Sequence, residues 1–365
     1  MRLIFSGGGT GGHIFPAIAV ADYMRKNEGL DISFVGKKDG PEKEVCAFYR
    51  FPFEPVVIEG LKRKLSPEIF LVLAKLLAAI VRLYRHIGKS SPDAVVGAGG
   101  YVCAPLYAAA ILRGVPFIIL EQNFTPGLTN RLFSKFAYRV GLPFKGVSFP
   151  CDPEKVRYVG NPVRSEFYTL ILKEEARKKL NLSPDKKTLL ILGGSGGAKK
   201  LNEAMCGVIR AFETEKKDLQ YIFITGRNQY SRVLENIGSV DEQKVRVIPF
   251  LYEMHLAYFA ADMAVCRAGG TTISEIICTG LPSILIPYPY ATGKHQDHNA
   301  LYLVNKGAAS IMHDGELTAG SLQKEISRIL FDPAVLDACR KALTAMADVK
   351  PLEKISEMIL SLRGR

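Results

Sequence analysis

A buried strand followed by a glycine-rich turn and a helical pattern occurs twice in this chain of 365 residues. The first copy covers residues 3–12, and the second covers residues 189–197. Each copy is typical of the opening of a Rossmann-type sheet, in which the glycines allow a tight turn between the first strand and its helix. At about 100–200 residues per domain, the length agrees with two such domains.

Short runs rich in β-branched residues alternate with helical patterns along the rest of the chain. This alternation predicts an α/β protein with two Rossmann-like doubly wound parallel sheets, each covered on both faces. Ligands of such sheets bind at the carboxyl ends of the strands, so we expect the two domains to face each other across a cleft. The predicted strands are 2–6, 32–36, 94–97, 116–120, 188–192, 221–225, 245–249, 263–266 and 283–287.

The segment Gly160-Asn161-Pro162 contains two residues that break regular structure, and we interpret it as the linker. The predicted domains are therefore 1–160 and 161–347. A last helix, at about 348–365, is expected to pack back on the first domain.

Backbone N–H groups of a glycine turn can approach an anion, and the positive end of the helix dipole favours negative charge there. Two such turns therefore suggest phosphate-bearing ligands, although glycines also serve tight strand–helix packing. Dinucleotide binding is disfavoured, because the second strand is followed by Lys37 and Lys38 where that fingerprint needs an acid. A P-loop is disfavoured too, because His13 and Ile14 follow the last glycine in place of Lys and Ser or Thr.

A third pattern covers residues 267–275 and directly follows a predicted strand. Glycine and threonine open a helix, and we expect Glu275 in its first turn, where it can accept bonds from both ribose hydroxyls. The alternative is an ordinary capping box from Thr272 to Glu275. The polar segment 287–299 that comes next is typical of a loop that binds a sugar.

The net charge of +12 indicates an anionic partner, and its distribution identifies the kind. Residues 60–90 hold seven Lys and Arg residues against one acid. On a helical wheel one stripe, opposite a broad apolar surface, contains Lys75, Arg82, Arg85 and His86. We predict a helix that docks on an anionic membrane, with no need for nucleic acid; the alternative is a core helix with a solvated edge. The predicted membrane residues are Lys62, Arg63, Lys64, Phe70, Leu73, Leu76, Leu77, Ile80 and Tyr84.

Seven cysteines without a Cys-x-x-Cys pair predict free thiols in a reducing compartment. The absence of a signal peptide and of a long enough apolar stretch then predicts a peripheral protein on the cytoplasmic face of the membrane. His295, Asp297 and His298 have zinc-like spacing, but no convincing further ligand follows, so neither a metal nor a cofactor is expected.

Several motifs together carry a family resemblance over nearly the whole chain. The chain resembles the MurG family of bacterial N-acetylglucosaminyltransferases, which convert lipid I to lipid II in peptidoglycan synthesis. The resemblance implies a GT-B fold, UDP-GlcNAc as donor, and undecaprenyl-diphospho-MurNAc-pentapeptide (lipid I) as acceptor. It implies a β-1,4 bond formed with inversion, and it leaves cell-wall synthesis proteins as candidate partners. The motifs are residues 8–16, 99–102, 121–123, 160–164, 193–195 and 267–275.

The resemblance also assigns site residues by position. Gly8, Gly9, Gly99, Gly100 and Tyr101 look like the acceptor-diphosphate site. The donor residues implied are Thr10, Gly11, Gly12, Asn123, Arg164, Ser195, the backbone of Leu251, Gly270, Thr271, Thr272, Glu275, His295 and Gln296.

Inversion requires a group that accepts the proton of the attacking hydroxyl. His13 opens the helix after the glycine loop, where the helix dipole favours the neutral imidazole, and we assign it as the general base. The alternative is a histidine that only binds the acceptor or braces the loop. The chain has no Asp-x-Asp pair, so we expect metal-independent departure of UDP.

Three other functions are alternatives at this point. The first is a GT-B transferase with another lipid acceptor, such as diacylglycerol. A UDP-GlcNAc 2-epimerase would need carboxylates near the sugar, which we do not find in the sequence. The presence of both His13 and Glu275 argues against the third, an inactive UDP-sugar-binding protein at the membrane.

Overall fold

The computed structural model describes residues 1–60, 68–194, 196–238, 240–241, 244–347 and 350–363. Lys62, Arg63, Lys64 and Ser195, four of the predicted site residues, lie outside these ranges. The chain divides into two compact units: Met1–Ser165 together with Val349–Arg365, and Glu166–Asp348.

Within the described residues, the first unit contains a seven-stranded sheet in which every pairing is parallel. The strand order is β3-β2-β1-β4-β5-β6-β7. The chain therefore starts in the middle of the sheet, adds strands to one side of β1, and then adds the remaining strands to the other side, beginning with β4. This change of side is the place where doubly wound sheets bind ligands. The strands are β1 (Arg2–Ser6), β2 (Asp31–Lys37), β3 (Phe53–Val56), β4 (Ala94–Gly97), β5 (Phe117–Leu120), β6 (Arg139–Leu142) and β7 (Val156–Tyr158).

The helices of the first unit cover this sheet. The first of them begins after Thr10 and ends at Gly29, whose left-handed φ of 62° suits a residue without Cβ. The helices are α1 (Gly11–Glu28), α2 (Pro41–Phe48), α3 (Glu68–Ser90), α4 (Cys103–Arg113) and α5 (Leu128–Phe133).

The C-terminal helix, α14 (Pro351–Leu360), also belongs to the first unit. Its residues Leu352, Ile355 and Ile359 are buried in one core with Ile18 of α1. The end of the chain therefore completes the hydrophobic core of the unit in which the chain begins.

The second unit repeats the same design. Its described residues form a six-stranded, all-parallel sheet in the order β10-β9-β8-β11-β12-β13. Counted from its own first strand, this is the Rossmann order 3-2-1-4-5-6. The strands are β8 (Lys187–Leu192), β9 (Leu219–Ile224), β10 (Val245–Ile248), β11 (Met263–Cys266), β12 (Ser283–Leu285) and β13 (Ser310–Ile311).

Helices also cover the second sheet. They are α6 (Lys173–Lys179), α7 (Lys199–Thr214), α8 (Tyr230–Ile237), α9 (Met254–Ala260), α10 (Gly270–Thr279), α11 (His295–Val304), α12 (Ala319–Leu330) and α13 (Pro333–Met346). Short 3₁₀ turns lie at Ser134–Phe136, Pro153–Lys155, Ser165–Tyr168, Arg227–Gln229 and Thr292–Lys294.

All nine predicted strands are present, with ends that shift by at most two residues. The prediction missed β3, β6, β7 and β13. Three of these are edge strands of two to four residues, and β3 contains Pro55, which an edge tolerates because it need not donate to the ladder. The fourth, β6, contains Gly141, where a Cβ would crowd Leu120 and Val159.

Candidate active site

The first glycine loop joins β1 to α1 and carries no side chain from Gly7 to Gly9. A Cβ on Gly7 would crowd Ala98, and Gly9 has a φ of 84°, so both positions require glycine. The first turn of α1 contains no acidic residue. The positive end of the helix dipole is therefore not neutralised by a carboxylate of its own first turn.

A second glycine loop follows β4 and packs directly on the first one. Gly99 and Gly100 have φ values of 89° and 84°, and the Gly8 N–H donates to the Gly99 carbonyl at 3.4 Å. A Cβ on Gly100 would overlap the Gly8 carbonyl, and one on Gly9 would lie 3.2 Å from the ring of Tyr101. The structure thus brings together all five residues of the predicted acceptor-diphosphate site.

His13 lies at the junction of these two loops. Its Nδ1 is 3.2 Å from Thr10 Oγ1, and its ring is half-buried. A Cβ on Gly99 would be 3.0 Å from the His13 ring. The geometry places an imidazole, a threonine hydroxyl and two glycine loops at the carboxyl ends of β1 and β4.

Glu121 organises the segment after β5. This buried carboxylate accepts the backbone N–H groups of Gln122 at 2.9 Å and Asn123 at 3.0 Å through Oε1. Its Oε2 accepts from the Gly127 N–H at 3.1 Å and from Asn130 Nδ2 at 2.9 Å. With so many donors on one carboxylate, Asn123 is held in a fixed position at the edge of the site.

Glu121 received no role in the residue assignment. An acid directly after a fully buried strand was the available signal, because the carboxyl edge of a parallel sheet is where functional side chains collect.

Arg164, assigned to the donor, lies buried in this unit with its guanidinium 4.8 Å from the Phe15 ring centroid.

In the second unit, the donor residues that the structure describes follow the carboxyl ends of neighbouring strands. The loop after β8 contains Gly193 and Gly194, Leu251 follows β10, and Gly270 opens the helix after β11. Since the strands are parallel, these ends meet at one edge of the sheet. Leu251 is half-buried, and the rings of its two chain neighbours, Phe250 and Tyr252, pack edge-to-face with centroids 4.9 Å apart.

The placement of Glu275 in the first helical turn was wrong. Helix α10 begins at Gly270, with Gly269 as N-cap, so Glu275 is the sixth residue and lies in the second turn. The alternative of a capping box from Thr272 is excluded for the same reason. Gly269 has the extended backbone that an N-cap needs, so the N-cap lies three residues before Thr272. Glu275 is buried, as are Gly270 and Thr271, while Thr272 is half-buried.

Arg267 and Asn299 connect the α10 loop to the predicted sugar-binding segment. The buried Arg267 donates through Nη1 to the Pro287 carbonyl at 3.0 Å and to Asp314 Oδ1 at 2.7 Å. Asn299 Nδ2 donates to the Ala268 carbonyl at 3.0 Å. These bonds fix residues 287–299 beside the start of α10, and neither side chain was singled out from the sequence.

Gln296 and His295, both assigned to the sugar, lie in the first turn of α11 and are half-buried. Gln296 Oε1 accepts the Tyr288 N–H at 2.9 Å, and His295 Nδ1 lies 2.8 Å from the Thr292 carbonyl. In the parts of the chain that the structure describes, no three His, Cys, Asp or Glu side chains are grouped to hold a metal ion.

The predicted membrane helix corresponds to α3. Phe70, Leu73, Leu77 and Tyr84 are exposed on it, whereas Leu76 and Ile80 are half-buried. The opposite side of the helix is buried through Val72, Ala79 and Leu83.

The basic edge of α3 is partly paired. Lys75 binds Glu59 at 2.5 Å, and Arg82 binds Glu54 at 2.7 Å. Among the described residues, no helix is long and apolar enough to span a bilayer.

Models of the glycosyltransferase family 28 N-terminal and C-terminal domains match residues 3–142 and 188–354. Together with two Rossmann-like units in tandem, these matches define a GT-B glycosyltransferase.

A protein from Thermoanaerobacter sp. (strain X514) is 39% identical over 99% of this chain and 100% of its own length. One from Halalkalibacterium halodurans is 39% identical over 98% of this chain and 99% of its own length. Both are named UDP-N-acetylglucosamine–N-acetylmuramyl-(pentapeptide) pyrophosphoryl-undecaprenol N-acetylglucosamine transferase. The chain belongs to this transferase family.

Solved structures agree with this assignment. Acinetobacter baumannii MurG has a TM-score of 0.74 and 26% identity, with 99% of each chain covered. The S. aureus MnaA–UDP structure has a TM-score of 0.70 at 16% identity over 99% of this chain and 96% of its own, which supports the fold alone.

Proposed function

We propose that this chain transfers N-acetylglucosamine from UDP-GlcNAc to the 4-hydroxyl of the MurNAc-pentapeptide carried on undecaprenyl diphosphate. The product is lipid II, the disaccharide precursor of peptidoglycan, so the enzyme serves cell-wall synthesis and through it cell shape and division. The observation that carries this proposal is the full-length match to relatives named for this transfer.

The geometry of the first unit suits the acceptor. The start of α1 offers a positive dipole to a diphosphate, and the two packed glycine loops, which carry no side chains, let it approach the backbone closely. His13 lies beside both loops and takes the proton of the attacking hydroxyl, while Thr10 Oγ1 helps to orient its ring. Asn123, fixed by Glu121, lies at the same edge of the sheet as Gly11 and Gly12, and these three residues belong with Thr10 to the donor sugar.

The second unit suits the donor. Helix α10 directs its N-terminus, formed by Gly270, Thr271 and Thr272, at the diphosphate of UDP. The Glu275 carboxylate accepts hydrogen bonds from the ribose hydroxyls. The backbone of Leu251 forms hydrogen bonds with the edge of the uracil base. Ser195, His295 and Gln296 complete the diphosphate and sugar contacts of this unit, and Arg164 of the first unit is the further diphosphate residue. Negative charge on the departing UDP is stabilised without a metal.

The exposed apolar residues of α3 support peripheral attachment at the cytoplasmic face of the membrane. A reactive sugar on an undecaprenyl carrier stays at the bilayer surface, so its enzyme must dock there. Phe70 and Leu77 are 76% and 63% exposed, which is a large apolar area to leave in water on one helix.

The assay for the function is turnover of UDP-GlcNAc with a lipid I analogue, with diacylglycerol as the competing acceptor. We expect product only with the lipid I analogue, and full activity in EDTA. Product only with diacylglycerol, or epimerised UDP-sugar without transfer, contradicts the proposal, and no turnover with any acceptor identifies an inactive binding protein. Loss in EDTA that Mg²⁺ restores contradicts metal-independent chemistry.

The membrane assignment is tested by flotation with anionic phosphatidylglycerol vesicles. We expect Phe70→Glu/Leu77→Glu to lose most of its vesicle binding, because two apolar side chains that would insert between the acyl chains are replaced by carboxylates. Leu170→Glu/Leu172→Glu, equally exposed but in the second unit, is the matched control and keeps its binding. Equal flotation of the α3 variant and the wild type, both with unchanged melting, rules out α3 as the docking helix.

A further inference from the structure

Helix α2 turns one carboxylate inward at its first turn. Glu42 is the second residue of the helix and only 1% exposed, whereas its neighbours Pro41 and Lys43 are exposed. Buried carboxylates are costly unless they are bonded, so this position needs an explanation.

The contacts of Glu42 lead to the first glycine loop. Its Oε1 accepts the backbone N–H of Gly9, and its Oε2 has no hydrogen-bond partner among the described residues. A Cβ on Gly8 or on Gly40 would overlap this carboxylate, and one on Gly36 would crowd its Cβ. Glycines in two separate segments therefore leave room for this glutamate, and Gly36 also leaves room for the Phe53 ring.

The loop itself explains why such a contact is useful. Residues 7–9 have no side chains that packing could hold, and glycine loses more conformational freedom on ordering than any other residue. The other backbone bond to this stretch, from the Gly8 N–H to Gly99, is long at 3.4 Å. A bond to a charged acceptor is about twice as strong as a neutral one, so Glu42 provides the stronger restraint.

We propose that Glu42 is a positioning residue, which holds Gly8 and Gly9 in the conformation that receives the acceptor's diphosphate. This inference rests on the proposed function. Because the Gly9 N–H is occupied by Glu42, Gly9 serves the site through its backbone shape and through the space it leaves for the Tyr101 ring, and not as a phosphate donor. A loop that is ordered before binding loses less entropy when the ligand arrives, so the restraint acts on acceptor affinity.

The test uses two substitutions of similar size. Glu42→Met removes the acceptor for the Gly9 N–H, whereas Glu42→Gln keeps a side-chain oxygen there. We expect Glu42→Met to raise the KM for the lipid I analogue by about fivefold or more, since a hydrogen bond to a charged group contributes that much. The kcat and the KM for UDP-GlcNAc should stay within about twofold, and Glu42→Gln should stay within about threefold of the wild type in every parameter.

Hydrogen–deuterium exchange gives a second readout that needs no turnover. Peptides covering residues 1–12 should exchange faster in Glu42→Met than in Glu42→Gln. Glu44→Ala, an exposed acid on the same helix turn, is the control and should exchange as the wild type does. If Glu42→Met fails to fold, Glu42→Asp, which withdraws the carboxylate by one methylene, carries the same expectations.

Three outcomes overturn the proposal: an unchanged acceptor KM in Glu42→Met, equal increases of both KM values, or Glu42→Gln behaving as Glu42→Met does. An inactive wild type would refute the proposed function, and the exchange rates would still report whether Glu42 orders the loop.

Discussion

The two glycine loops that open the two sheets have the same sequence signature but are held in different ways. The loop after β1 is held from outside, by the Glu42 carboxylate and by the loop after β4. The loop after β8 folds on itself and on the next strand, since the Gly197 N–H donates to the Gly194 carbonyl at 2.9 Å and a Cβ on Gly197 would overlap the Thr225 carbonyl. The same motif is thus held by a carboxylate from a distant helix in one unit and by close backbone packing in the other.

The largest effect is expected at the first loop. His13→Ala should lower kcat by at least about 10²-fold with little change in the KM for UDP-GlcNAc, because it removes the proton acceptor and leaves donor binding intact. Steady-state kinetics with both substrates varied measures this. Near-normal turnover would leave His13 only a binding role.

A smaller effect separates packing from backbone strain at the second loop. Gly197→Ala should lower the free energy of unfolding by about 2–3 kcal/mol, because its methyl group overlaps backbone at a φ of 77°. Gly194→Ala has a similar φ of 85° but open space around it, so about 1–2 kcal/mol is expected. Urea unfolding of both variants compares them, and equal losses would show that close packing is not what distinguishes Gly197.

The smallest effect concerns the donor contacts of the second unit. Glu275→Ala should raise the KM for UDP-GlcNAc by about tenfold, since the ribose hydroxyls lose a charged acceptor, while the acceptor KM stays unchanged. Together with Glu42→Met, which is expected to act on the acceptor alone, this separates a residue that serves the acceptor from one that serves the donor. Equal changes in both KM values would remove that division.

The sequence predicted the strands best where they are central and apolar. β1, β4 and β11 match their predicted bounds residue for residue, because buried parallel strands are short continuous apolar runs followed by turns. Three of the four edge strands were missed, because an edge tolerates Pro55 in β3 and needs only two residues in β13. Their pairing is set by neighbours that are distant in the chain.

The candidate sites divide in a similar way. Glycine turns after strands are local patterns, so Gly9, Gly99 and the start of α10 were recognised from the sequence. The sequence assigned no role to Glu42 or to Arg267, because their partners come from distant segments. It assigned none to Glu121 either, because local spacing does not show that its carboxylate is buried and accepts hydrogen bonds from Gln122, Asn123, Gly127 and Asn130. A single glutamate in a charged helix gives no sign that it points inward.

The sequence predicted that the thiols are free but not which of them are buried. The described structure pairs no two cysteines, as the sequence predicted. Burial raises the pKa of the Cys46 thiol to about 12 and that of Cys103 to about 11, so neither is a thiolate at neutral pH. Burial of this kind is decided by packing and not by the residues next to each cysteine.

The sequence by itself determined the two-domain α/β design, the glycine turns and the family, because these depend on periodicity and on motifs within a few residues. The tertiary structure alone decided which side chains hold those turns. It ties Gly9 to a carboxylate 33 residues away and packs one glycine loop on another, and it buries the last helix against the first. Such contacts join segments that are far apart in the chain, and only the folded sheet brings those segments within hydrogen-bonding distance.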